Sequence, residues 1–113
     1  MVIVRDTLKF EELRQMAARR FGDMVKAVVD VDRELIAVDA ELHADLESLL
    51  LGEGSQQKNL WGINLYPEMQ ADEAIEFDSL INIRPSQGNR SRGVEQESIR
   101  KKIAAIVEKR LVR

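Results

Sequence analysis

Apolar residues along this chain follow first one period and then another. After a short apolar strand at Val2 to Val4, Leu13, Met16, Ala17 and Phe21 recur every three or four residues until Gly22. That spacing predicts a first helix over 8–21, with Asp6 or Thr7 offering an N-cap oxygen. The β-branched cluster Val25, Val28, Val29 and Val31 then predicts a strand, and Asp32-Arg33-Glu34 separates it from Leu35-Ile36-Ala37-Val38 as the turn of a β-hairpin. From His43, Leu46, Leu49 and Leu50 predict a second, short helix ended by Gly52-Glu53-Gly54-Ser55. Strand character returns at 60–66, closed by Pro67. It is expected again over 75–83, where Ile75, Phe77, Ile81 and Ile83 alternate with Glu76, Asp78, Asn82 and Arg84 to leave one wet face. A last helix, 95–111, gathers Ile99, Ile103, Ile106 and Val107 on one side and sets most of its basic residues elsewhere.

The order β-α-β-β-α-β-β-α places hairpins where a doubly wound fold needs parallel crossovers. An α+β fold is therefore expected, a single domain over 1–113 with a mainly antiparallel sheet and its helices packed on one face. Trp61 and Tyr66 lie within a strand and read as core or core-edge residues rather than as a platform for stacked bases, which needs exposed aromatics among basic positions.

Composition narrows the chemistry. The chain has no cysteine, so disulfides, thiolate nucleophiles and thiolate metal sites are excluded. No apolar run approaches the ~20 residues that cross a bilayer, and the opening Met1-Val2-Ile3-Val4 is too short for a signal-peptide core, so a cytoplasmic protein with no membrane contact is expected. The net charge of −3 hides an asymmetry: residues 1–78 hold 8 basic and 17 acidic side chains, a net of −9, whereas residues 79–113 hold 9 and 3, a net of +6. A basic last third on an acidic body suits an anion-facing surface, or a basic helix packed against acidic strands of its own fold.

The most informative segment joins the last strand to the last helix. Ile83-Arg84-Pro85-Ser86-Gln87-Gly88-Asn89-Arg90-Ser91-Arg92-Gly93 contains three arginines, two serines, two glycines and no carboxylate. Amides at a helix N-terminus attract anions, and arginine supplies paired donors matched to phosphate oxygens. Gly88 and Gly93 admit positive φ, as Asn89 does, which lets successive amides converge. Arg84, Ser86, Gly88, Asn89, Arg90, Ser91, Arg92 and Gly93 are therefore candidate ligands for a phosphate-bearing molecule or a nucleic-acid backbone. The segment matches neither the P-loop nor the dinucleotide fingerprint, and in the plain structural alternative its arginines pair with carboxylates of the acidic body.

A second constellation surrounds the only histidine. In extended chain, Asp39, Glu41 and His43 project on one side, from which a carboxylate–imidazole metal site or a histidine general base can be built. His43, with Glu41 or Asp45 as orienting carboxylate, gives the candidate catalytic set of a small phosphodiester-type hydrolase; in the alternative, His43 and Asp45 simply cap a helix. Asp30, Asp32, Glu76 and Asp78 are further carboxylates that can join such a site, or else form the wet face of a sheet. No cofactor and no metal ligand set is identified.

The segments Phe21-Gly22-Asp23-Met24-Val25-Lys26-Ala27-Val28-Val29-Asp30, Glu41-Leu42-His43-Ala44-Asp45, Leu60-Trp61-Gly62-Ile63-Asn64-Leu65-Tyr66-Pro67 and 81–93 resemble a family of small prokaryotic proteins classed as a domain of unknown function. The resemblance covers nearly the whole chain. It implies a compact, stand-alone cytoplasmic protein of about this length and transfers no ligand or catalytic residue. Three functional expectations follow: a phosphate-binding module, a small hydrolase, and an interaction or regulatory subunit, the last including self-association through a sheet edge or the last helix.

Overall fold

Leu35-Ile36-Ala37-Val38 and Leu60-Trp61-Gly62-Ile63-Asn64-Leu65 are buried at every position, whichever way the side chain points. Strands of that kind need cover on both faces. A computed structural model describes residues 1–113, apart from the side chain of Ala71, and provides that cover. Its strands are β1 (Val2–Val4), β2 (Leu8–Lys9), β3 (Val25–Asp30), β4 (Leu35–Val38), β5 (Leu60–Leu65), β6 (Ile75–Glu76) and β7 (Leu111–Val112), and its helices are α1 (Phe10–Arg19), α2 (His43–Gly52) and α3 (Glu97–Arg110). Short 3₁₀ turns fill the connections, among them Gln57–Asn59, Leu80–Asn82 and Pro85–Gln87.

The main sheet has five strands in the order β1-β4-β3-β5-β6, and each neighbouring pair is antiparallel. The expected α+β class and mainly antiparallel sheet are therefore present. On one face, Leu13, Met16 and Ala17 of α1 and Ile103, Ile106 and Val107 of α3 pack on Val25, Ala27, Val29, Ile36, Val38, Trp61 and Ile63. On the other, Leu46 and Leu50 of α2 pack on Val28, Leu35, Ala37 and Leu60. Two helices thus share a face as expected, and the third covers the opposite one, because the central strands are apolar on both sides. No helix is long and apolar enough to cross a membrane among the described residues.

Several local expectations change. Helix α1 starts at Phe10, after β2, and the Glu12 carboxylate, not Asp6 or Thr7, accepts from the backbone N–H at the N-cap, Lys9, at 3.2 Å. Strand β2 pairs in parallel with β7, Leu8 beside Leu111, and so ties the beginning of the chain to its end. The last strand stops at Glu76 instead of running to residue 83, because the chain turns back over Gly62. There the Asn82 side-chain amide substitutes for a strand: its Oδ1 accepts from Gly62 N–H at 2.8 Å and its Nδ2 donates to Gly62 O at 2.9 Å. A Cβ on Gly62 would lie 2.5 Å from Ser79 Cβ, so only glycine admits this approach.

Candidate functional site

The arginine loop is built mostly from its own polar groups. Arg84 and Asn89 form an isolated antiparallel bridge, with Arg84 N–H donating to Asn89 O at 2.7 Å. The turn between them closes at Gly88, whose φ of 81° needs glycine. Gly93 and Asn89 do not use a positive φ, contrary to expectation. Asn89 is instead buried, and its Nδ2 donates to the carbonyls of Asn82, Gly93 and Ser91 at 2.7, 2.8 and 3.2 Å, while its Oδ1 accepts from Glu95 N–H at 2.9 Å.

Two of the proposed anion ligands already hold an anion that belongs to the chain. Backbone N–H groups of Arg90 and Ser91 donate to the Glu95 carboxylate at 2.6 and 2.8 Å, and these bonds hold the Glu95 carboxyl below its ordinary value. Glu95 lies two residues past the carboxylate-free segment. Arg84 is likewise committed: its guanidinium stacks 4.2 Å from the Trp61 ring centroid and donates to the carbonyls of Leu60, at 2.7 Å, and of Gln57. Arg92 pairs with Asp78 at 2.6 Å. Ser86 and Arg90 face solvent, and the Ser91 hydroxyl accepts from Gly93 N–H at 3.2 Å.

Beyond the loop, a cleft of about 310 Å³ opens between it and the first turn of α3. Lys58, Asn59, Gln87, Gln96, Ser98 and Lys102 bring polar groups to it, Trp61 and Val31 form its apolar wall, and no carboxylate lines it. Helix α3 begins without a side-chain cap, and although Ile99 N–H donates to Gln96 O at 3.1 Å, the N–H groups of Glu97 and Ser98 are free for an outside acceptor. Ser98 and Lys102 stand one turn apart, on the same side of the helix. Neither Lys58 nor Lys102 has an ion-pair partner among the described residues. Sequence periodicity gives no sign of Lys58, which the 3₁₀ turn leading into β5 delivers to the cleft.

His43 lies in a different cleft, of about 400 Å³, on the α2 face. Its ring is buried and donates from Nε2 to Ile63 O at 2.8 Å, which fixes the neutral tautomer with Nδ1 unprotonated. Burial pushes the His43 pKa below its ordinary value; the Ile63 carbonyl, Asp78 and Asn64 oppose that shift, and Lys26 adds to it. Glu41 and Asp45, the carboxylates expected beside His43, face solvent and do not line the cleft. Glu76 and Asp78 do, together with Lys26, Asn64 and Arg92. Asp30 is buried elsewhere, accepting from the N–H groups of Asp32 and Arg33 at 2.9 Å and from the Ser55 hydroxyl at 2.6 Å, and so shapes the β3–β4 turn. Among the described residues, no group of three His, Asp or Glu side chains is arranged to hold a metal ion.

The arginine loop and the histidine therefore meet, through Arg92 and not through Arg90. No curated protein and no solved structure is significantly similar to the chain. Its family is nevertheless defined: the model for the protein of unknown function DUF5674 matches residues 2–110, and the chain belongs to that family.

Proposed function

We propose that this protein is a binding module for a phosphate-bearing ligand, and that the ligand's anionic group sits in the cleft between the arginine loop and the start of α3. The observation that carries this reading is the cleft's lining, two lysines without ion pairs, a serine and four Asn or Gln side chains with no carboxylate among them, beside an uncapped helix N-terminus. Lysine ammonium groups and first-turn amides both favour an anion there, and their attractions add. Compared with the expectation from sequence, the anion site moves by one turn: the loop amides serve Glu95, and the loop supplies Gln87 as a wall. A cleft of about 310 Å³ suits one or two phosphate groups with part of their carrier better than a long polyanion.

An amide NMR titration with pyrophosphate tests this. Expected are saturable shifts at Lys58, Gln87 and 96–102 that weaken with added salt, with Arg90 and Ser91 little changed. Shifts centred on Arg90 and Ser91 would return the site to the loop amides, and no saturable shift anywhere would refute anion binding. The hydrolase reading gains Glu76 and Asp78 near His43 but loses Glu41 and Asp45, and it draws no support from the α3 cleft.

A further inference from the structure

Lys26, Asn64 and Glu76 are register partners across β3, β5 and β6, so they form a row on one face of the sheet. It is the face covered by α2, and there the row floors the His43 cleft. Asn64 is 6% exposed, and its orientation is fixed because Nδ2 donates to Glu76 Oε1 at 2.8 Å and approaches Asp78 O at 3.4 Å. The amide oxygen must then point the other way. This Oδ1 is buried and has no hydrogen-bond partner. It is sealed from solvent on the side of His43, whose pKa it raises against the lowering by burial, so the Asn64 amide fixes the floor of the cleft between Glu76 and the histidine.

The charges beside it are ordered. Arg92 and Asp78 neutralise each other at 2.6 Å. Lys26 and Glu76 remain at opposite ends of the row, neither with an ion-pair partner among the described residues. Tyr66 OH and Asn64 Nδ2 both donate to Glu76 Oε1 and hold its carboxylate in place, at 3.1 and 2.8 Å. With two strand spacings between them, the Lys26 and Glu76 backbones stand about 10 Å apart, a span that their long side chains close onto one small molecule. At the mouth, Leu42 and Leu80 are 57% and 68% exposed, apolar side chains left open on either side of a polar floor.

We infer that this cleft binds a free α-amino acid with an apolar side chain: its ammonium pairs with the Glu76 carboxylate, its carboxylate faces Lys26, and its side chain lies against Leu42 and Leu80. Each charge of such a zwitterion meets a group that has no ion-pair partner among the described residues, Lys26 lying over the Phe21 ring and Glu76 accepting from neutral donors only, and the cleft's own charge balance of Lys26 and Arg92 against Glu76 and Asp78 disfavours a ligand of large net charge. This site is separate from the phosphate cleft and does not depend on it.

The probe is L-leucine, titrated into the full ¹⁵N-labelled chain and compared with N-acetyl-L-leucine, which lacks the ammonium, with L-leucinamide, which lacks the carboxylate, and with glycine. Leucine is expected to shift Lys26, His43, Asn64 and Glu76 with a Kd of about 1 mM or lower, and each of the three analogues to bind at least roughly tenfold more weakly. Glu76→Gln, an exposed substitution that preserves an acceptor for Asn64, is expected to weaken leucine by about tenfold as well. An absence of shifts at about 10 mM leucine overturns the inference, as does equal binding of either blocked analogue. Shifts confined to residues outside the cleft overturn it too, and none of these results bears on pyrophosphate binding at α3.

Discussion

Removing one lysine charge from the α3 cleft separates the proposed phosphate site from the loop that first suggested it. Lys102 is exposed and free of ion pairs, so Lys102→Gln should change stability by no more than about 0.5 kcal/mol. Its effect on binding is set by distance and screening. A unit charge about 4 Å from a phosphate oxygen contributes about 1 kcal/mol in bulk water and about 4 kcal/mol at the effective dielectric of a protein surface. The cleft is open and its lysines exposed, so the lower end governs, and pyrophosphate should bind about tenfold more weakly, near 1.4 kcal/mol. Calorimetric titration at two salt concentrations measures both the loss and a reduced salt dependence, because one fewer counter-charge is engaged. Glu95→Gln is the contrasting variant. It weakens the acceptor held by Arg90 and Ser91 N–H without touching the α3 cleft, and should leave pyrophosphate affinity within about twofold, less than 0.5 kcal/mol. If Glu95→Gln tightens pyrophosphate about tenfold while Lys102→Gln changes nothing, the loop amides are the anion site and the cleft assignment is wrong.

Three further outcomes follow from the geometry. Asn82→Ala deprives Gly62 N–H, Gly62 O and Arg92 O of their bonds to a fully buried side chain, and at about 1 kcal/mol each should cost about 3 kcal/mol in urea unfolding; a loss under about 1 kcal/mol would show that another group takes over the role. Gly62→Ala forces its Cβ onto Ser79 and should cost about 2 kcal/mol, most of it recovered in the Gly62→Ala, Ser79→Gly double variant; additive losses would rule out that contact as the cause. Because burial lowers the His43 pKa from its ordinary 6.5, its contribution to stability is complete above pH 6.5 and is lost as the pH falls through the folded value. An NMR titration of the single histidine should therefore give a midpoint below 6.5, and a midpoint at or above that value would contradict the buried, neutral ring.

Local features were the legible ones. The hairpin from Val25 to Val38, the two helices flanking it and the glycine at 88 were readable because each rests on neighbours in sequence. The second buried face was readable too, since 35–38 contains no polar residue at all, but the alternation over 75–83 pointed toward a sheet with one wet side. That alternation belongs to a segment which leaves the sheet after Glu76, where Asn82 bonds to Gly62 twenty residues away, and no periodicity reveals such a bond. Glu95 lies two residues beyond the carboxylate-free segment whose amides it accepts from, and Lys58 is distant in sequence from α3. The parallel pairing of Leu8 with Leu111 joins two strands too short to show a pattern.

The segment from Ser79 to Glu95 binds chiefly to itself, and this explains why so polar and basic a stretch does not itself form the pocket. Asn82 and Asn89 engage both ends of their side-chain amides with backbone groups, and Glu95 absorbs the amides that a ligand would otherwise use. The satisfied loop is a stiff partition. Gln87 and Asn89 line the cleft beside α3, whereas Ser79, Leu80, Ile81 and Arg92 line the His43 cleft under α2. A partition whose side-chain amides are bonded at both ends, with Arg84 Nε its one buried unpaired side-chain atom among the described residues, has little reason to adopt a second arrangement, and coupling between sites requires an element that has two. The two clefts are therefore independent, and Arg84 and Arg92, bonded to Leu60 O and to Asp78, hold the partition between them.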